Sequence, residues 1–144
     1  MAVRYFILNY HYRSVVDFNE NEIAKSQEQL NKIFEASFKK NWLRPAISNY
    51  QGETLHFRDV ARRMEKLHIM FEECGLVKGD KVAICSRNQA NWAVSFLAAM
   101  TYGAVPVPLL HEFKSSNIHH LVNHSEAKIL FVDDVIWEGL SESE

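Results

Sequence analysis

The spacing of hydrophobic positions changes along this chain, and each change marks an element. Residues 1–25 show no period: an aromatic patch at Tyr5-Phe6-Ile7-Leu8 gives way to Asn19-Glu20-Asn21-Glu22, so this stretch is set apart as an N-terminal extension of uncertain structure, with the domain taken as 26–144. From Ser26 a helical rhythm begins. Ser26-Gln27-Glu28-Gln29 has the form of a capping box, Leu30, Ile33, Phe34 and Phe38 follow at helical spacing, and Pro45 forbids a long continuation. Two short runs, 46–49 and 54–57, flank Tyr50-Gln51-Gly52-Glu53, a pattern that predicts a hairpin with Gly52 in the unusual backbone conformation. Val60, Met64, Leu67, Phe71 and Cys74 then recur at steps of four and three, which predicts a second helix capped by Gly75.

Beyond Gly79 the rhythm alternates strand and helix. Strands are expected at 81–85, 105–109 and 128–132, and helices at 89–102, ended by Gly103, and at 116–124, with Ser115 as its cap. Short connections with helical crossovers imply parallel strands. Pro106 and Pro108 lie at alternate positions, so both missing N–H donors fall on one edge of their strand, which can pair fully only on the other. The expected class is α/β: an N-terminal helix, a β-hairpin, then a partly parallel sheet with covering helices.

Composition narrows the chemistry. With 47% hydrophobic residues, 16 basic and 18 acidic side chains and a formal charge of −2, the chain can bury one core and carries no electrostatic footprint for nucleic acid. No segment reaches the roughly 20 apolar residues of a membrane-spanning helix, and no leader with a small-residue cleavage site stands out. Cys74 and Cys85 lack metal-ligand spacing and read as buried thiols of a reducing, cytoplasmic protein. Contact with a membrane surface stays open.

Candidate sites are few. Gly79-Asp80-Lys81-Val82-Ala83-Ile84-Cys85-Ser86-Arg87-Asn88-Gln89-Ala90-Asn91-Trp92 has the strand-turn-helix form of a phosphate site, yet no glycine lies between Cys85 and Trp92. It reads instead as framework, with Asn88 capping the helix and Trp92 in the core. His120 and His124 are four apart, a zinc-compatible spacing, but Ile118, Leu121 and Val122 form the buried stripe and place both histidines on the solvated face. The turn Leu110-His111-Glu112-Phe113-Lys114 sits at a strand's carboxyl end, where open parallel sheets collect ligands, so a binding turn and a plain surface loop stand as equal readings. Asp133-Asp134 reads as a polar stop after a strand, and no nucleophile has an activating partner.

The assembled segments resemble the adenylate-forming (AMP-binding) enzymes, and within them the long-chain fatty-acid–CoA ligases. The resemblance is carried by Leu30-Asn31-Lys32-Ile33-Phe34-Glu35, Pro45-Ala46-Ile47, His56-Phe57-Arg58-Asp59-Val60 and Gly75-Leu76-Val77-Lys78-Gly79-Asp80-Lys81-Val82-Ala83-Ile84, then Asn88 and Trp92. It continues through Phe96-Leu97-Ala98-Ala99, Tyr102-Gly103-Ala104-Val105-Pro106-Val107-Pro108-Leu109 and Asn123-His124-Ser125-Glu126-Ala127-Lys128-Ile129-Leu130-Phe131. It implies a fragment of the large N-terminal domain of an enzyme that joins a fatty acid to AMP and passes the acyl group to coenzyme A, using ATP, CoA and Mg2+. The family's Ser/Thr/Gly-rich phosphate loop has no counterpart in this chain, nor does its catalytic lysine, so residues 1–144 are expected to hold no cofactor and to be inactive alone. The family's turn near the nucleotide end of CoA falls on Leu110, His111 and Glu112, with its glycines replaced and Glu112 set to repel phosphate unless His111 or Lys114 compensates. Two rivals stand beside this reading: a stand-alone non-catalytic binding module, and another adenylate-forming enzyme such as an aryl–CoA ligase or an amino-acid adenylation unit.

Overall fold

The computed structural model describes residues 20–141. Helix α1 spans Glu20–Asn41, the hairpin strands β1 and β2 span Pro45–Ser48 and Thr54–His56, and α2 spans Phe57–Glu73. Then come β3 (Lys81–Cys85), α3 (Ala90–Tyr102), β4 (Val105–Leu109), α4 (Ser115–Ser125), β5 (Ala127–Val132) and α5 (Asp134–Ser141).

Strands β4, β3 and β5 form a parallel sheet in that order, in register at Ala83 with Val107 on one side and Leu130 on the other. Pro106 and Pro108 therefore lie on an edge strand, as their alternate spacing requires, since a central position would leave ladder acceptors unmatched. The central strand β3 is buried on both faces, so it reads as an apolar run rather than an alternating one. Val82 and Ile84 join Val60, Met64, Phe71, Val94, Ala98 and Ala99 in one core beneath α2 and α3. Ala83 and Cys85 join Leu109, Ile118 and Leu140 in a second core beneath α4 and α5. The result is three layers, with α1 laid on the first through Phe38, whose ring meets Phe57 edge-on at 5.3 Å.

Helices α2 and α3 end by the same device. Gly75 and Gly103 adopt φ of +70° and +96°, conformations that only glycine takes without penalty. Leu76 N–H then donates to Phe71 C=O at 2.9 Å, and Ala104 N–H to Ala99 C=O at 3.0 Å. These six-to-one bonds fold the next apolar residue back into the core, where Leu76 and Ala104 are both buried.

Five expectations are corrected. Ser115 is the first residue of α4 rather than its cap, because its hydroxyl donates to Gly139 C=O at 2.9 Å and Lys114 takes the cap position. Helix α1 starts at Glu20, upstream of the Ser26 capping pattern, because the polar residues around that pattern are good helix formers and propagate the helix through it. The left-handed position of the hairpin is Gln51, at φ 55°, not Gly52. Gly52 sits in a tight place instead: a Cβ there would lie 3.1 Å from that of Asn49, close enough that Asn49 would have to shift by a few tenths of an ångström. Cys74 is exposed, because α2 stops at Glu73 and the chain turns, so that Leu76 fills the place the period assigned to the cysteine. The polar stop expected at Asp133-Asp134 is instead the start of helix α5.

Candidate functional site

The carboxyl ends of the three parallel strands lead into three turns, and the turns are tied to one another. After β3, the Arg87 N–H donates to Asp133 Oδ2 at 3.2 Å, while Asp133 Oδ1 accepts from the Ile136 N–H at 3.0 Å. One carboxylate thus spans the turns that follow β3 and β5 and caps α5. After β4, the Phe113 N–H closes the turn on Leu110 C=O at 3.2 Å, and the buried Cys85 thiol approaches that same carbonyl at 3.7 Å. Burial, followed by the Asp133 charge, raises the Cys85 pKa, which keeps it a thiol and unsuited to nucleophilic work.

Between α2, α3 and β5 lies an open cleft of about 590 Å3. Its floor includes Leu67, Ile84, Val94 and Phe131, and its rim includes Arg63, Lys66, Gln89, Asn91, Asp133 and Asp134. Arg63 is committed to the Glu53 carboxylate at 3.0 Å and to Asn91 Oδ1 at 2.9 Å. Trp92 enters the cleft wall with its ring stacked on Phe96 at 5.3 Å, half-buried rather than enclosed in the core.

Leu110, His111 and Glu112 are all exposed, and none lines this cleft. Leu110 keeps 60% of its surface and Phe113 36%, so the turn presents an apolar face beside a carboxylate. His120 and His124 stand exposed on α4, their rings stacked at 5.9 Å, on the solvated side that the periodicity assigned them. Among the described residues no group of three or more His, Cys, Asp or Glu side chains could hold a metal ion.

The helix cap that the sequence assigns to Asn88 is supplied elsewhere. Asn88 is exposed, and the Ala90 N–H that opens α3 donates instead to Asn49 Oδ1 at 2.7 Å. Neither this long-range cap nor the Asp133 bridge was legible beforehand. A signal existed for the second: an acid after a strand and before Val135, Ile136 and Leu140 is a helix start.

The sequence profile described as AMP-binding enzyme fits residues 34–143. The chain belongs to the AMP-binding enzyme family. Its similarity extends to fatty acyl-CoA synthetase A of Dictyostelium discoideum, 32% identical over 79 residues, which cover 55% of this chain and 12% of that protein. Among solved structures it is similar to the long-chain-fatty-acid–CoA ligase FadD1 of Archaeoglobus fulgidus, with 26% identity, a TM-score of 0.69 and coverage of 78% of this chain and 24% of that one. It is similar also to the NpsA N-terminal subdomain of Klebsiella oxytoca in complex with 3-hydroxybenzoyl-AMSN, with 27% identity, a TM-score of 0.65 and coverage of 73% and 26%. The chain thus spans about an eighth of that curated relative and about a quarter of those solved chains. No described helix is long and apolar enough to cross a membrane.

Proposed function

We propose that this chain is the N-terminal portion of an ATP-dependent acid–thiol ligase of the reducing cytoplasm that acts on long-chain fatty acids. The fatty-acid carboxylate attacks the α-phosphorus of ATP, which forms acyl-adenylate and releases pyrophosphate; the thiol of CoA then displaces AMP to give acyl-CoA. The observation that carries this reading is the family match over 34–143 together with the 32% identity to a fatty acyl-CoA synthetase.

In this reading the 144 residues support rather than perform the chemistry. Their sequence contains no Ser/Thr/Gly-rich phosphate loop, so ATP and Mg2+ would be held by the remainder of a longer protein. Coenzyme A is the one cofactor for which residues here are candidates. The exposed apolar surface of Leu110 and Phe113 suits the flat adenine end of CoA, with His111 beside it, and Glu112 disfavours the phosphates unless Lys114 offsets it. The turn would orient the nucleotide end, far from the bond being made.

One observation favours a second substrate class. Surfactin synthase subunit 2 of Bacillus subtilis, although only 21% identical, aligns with 77% of this chain, more than the fatty acyl-CoA synthetase does. Pyrophosphate exchange into ATP separates the readings. A longer protein containing this chain is expected to exchange with long-chain fatty acids and not with amino or aryl acids, and residues 1–144 alone are expected to give none. Exchange driven by an amino or aryl acid would replace the fatty-acid reading, and exchange by residues 1–144 would overturn the supporting role.

A further inference from the structure

We infer that the outer face of α4 is a site for a divalent transition-metal ion of the Zn2+, Ni2+ or Cu2+ class, held by the imidazoles of His120 and His124 and completed by water. Helix α4 is two-faced by its own sequence. Ile118 is buried, and Leu121 and Val122 pack beside it against the sheet. Ser116, Asn117, His119, His120, Asn123 and His124 are exposed, so the side turned from the sheet is polar throughout and is built for water.

On that surface two rings come together. His120 and His124 are one turn apart, where the side chains of a helix are neighbours, and their rings lie within 10° of parallel with centroids 5.9 Å apart. His119 projects from a different side of the helix, about 100° around the axis from His120. Among the described residues neither His120 nor His124 is engaged in a hydrogen bond or an ion pair, so each neutral imidazole has a lone-pair nitrogen to give. Two nitrogens bound at about 2.0–2.1 Å to one tetrahedral ion stand about 3.3 Å apart, a separation that exposed neighbours one turn apart reach by turning about their side-chain torsions.

The imidazole pair selects the class of ion. Imidazole nitrogen suits Zn2+, Ni2+ and Cu2+, whereas Mg2+ requires oxygen donors. The first imidazole to bind delivers the second as an intramolecular ligand, so the pair holds an ion far more tightly than either ring alone. His124 belongs to the last turn of α4, where the carboxyl end of the helix favours positive charge. An ion bound there fastens the last turn of the helix that leads into β5 and stabilises the folded chain. The site is separate from the Mg2+ and ATP of the proposed ligase and does not rest on that reading.

The test uses untagged protein carrying Cys74→Ser, which removes the exposed thiol as a competing ligand. NMR with isotope-labelled histidine reads each ring separately during a Zn2+ titration. The ring C–H signals of His120 and His124 are expected to move together with a Kd below about 0.1 mM, both in the 144-residue chain and in a longer protein that contains it. Cu2+ should compete at lower concentration than Zn2+, and Mg2+ should leave both rings unmoved. His120→Ala is expected to weaken Zn2+ binding at His124 by about tenfold or more, and His124→Ala to do the same at His120, while His119→Ala changes it by less than about twofold. A Kd above about 0.1 mM, a smaller loss in either single variant, a loss of about twofold or more in His119→Ala, or binding by the 144 residues that the longer protein lacks would overturn the proposal.

Discussion

Asn49, at the tip of the hairpin, accepts a 2.7 Å hydrogen bond from the N–H of Ala90, the first residue of α3, and so caps a helix 41 positions away. The first amides of a helix have no partner of their own, and a side-chain oxygen there is worth about 1 kcal/mol. Asn49→Ala is expected to lower stability by about that amount in urea unfolding, with Asn49→Asp close to the parent. Asn88→Ala, at the exposed position that local sequence favours as the cap, is expected to change stability by less than about 0.5 kcal/mol. Equal costs at 49 and 88 would show that the hairpin does not support α3.

That pair also marks where sequence reading stops. Strands β3 and β4 were legible to the residue, since apolar runs bounded by Gly79, Gly103 and turn residues have few other solutions. The edge position of β4 followed from Pro106 and Pro108 alone. Asn49 capping α3, and Asp133 joining the turns after β3 and β5, depend on which loops meet in space, and no local pattern encodes that. Cys74 failed for a related reason: the helical period continued on paper past a helix that ends at Glu73. At the candidate site, the turn after β4 was located correctly by the strand before it, but the cleft beside β5 arises from three separated elements and left no motif.

Phe71 is fully buried, with its ring 5.3 Å from that of Tyr102 and 6.1 Å from that of Phe131, and thereby joins α2, α3 and β5. Phe71→Ala is expected to cost about 3–5 kcal/mol, from lost transfer energy plus the cavity left behind. Tyr102→Phe keeps the ring and loses only the hydroxyl's bond to Leu76 C=O at 3.0 Å, for about 1 kcal/mol. Denaturant titration of both variants checks the ratio, and a Tyr102→Phe cost matching that of Phe71→Ala would mean that the polar tether, not the packing, holds α3.

Asp80 links the start of β3 to β5. Its carboxylate accepts the Val77 N–H at 2.8 Å and pairs with Lys128 at 2.9 Å, and these two contacts, the backbone bond first, hold its pKa below the ordinary 3.8. A carboxylate lowered in the folded state binds its proton more weakly there than in the unfolded chain. Its contribution is therefore complete above pH 3.8 and lost as the pH falls through the lower folded value. Asp80→Asn is expected to flatten the stability–pH profile below that point and to leave its slope above pH 5 unchanged, as read by thermal unfolding across a pH series. An unchanged acid limb would assign the lowered value to the unfolded state as well.

Glu112 tests the role of the turn after β4. Its side chain is exposed, so its effect on an approaching phosphate is that of a surface charge, worth about 0.2–1 kcal/mol and screened by salt. In a longer protein that contains this chain, Glu112→Gln is expected to lower the KM for CoA by about twofold to fivefold at low ionic strength. The gain should shrink above about 0.5 M salt, and the KM values for ATP and fatty acid should stay where they are. His111→Ala is expected to raise the KM for CoA, because it removes a polar side chain beside the apolar surface proposed for adenine. If Glu112→Gln moves the KM for ATP instead, the turn faces a different nucleotide. If it moves neither, the turn is a surface loop with no part in the proposed CoA binding.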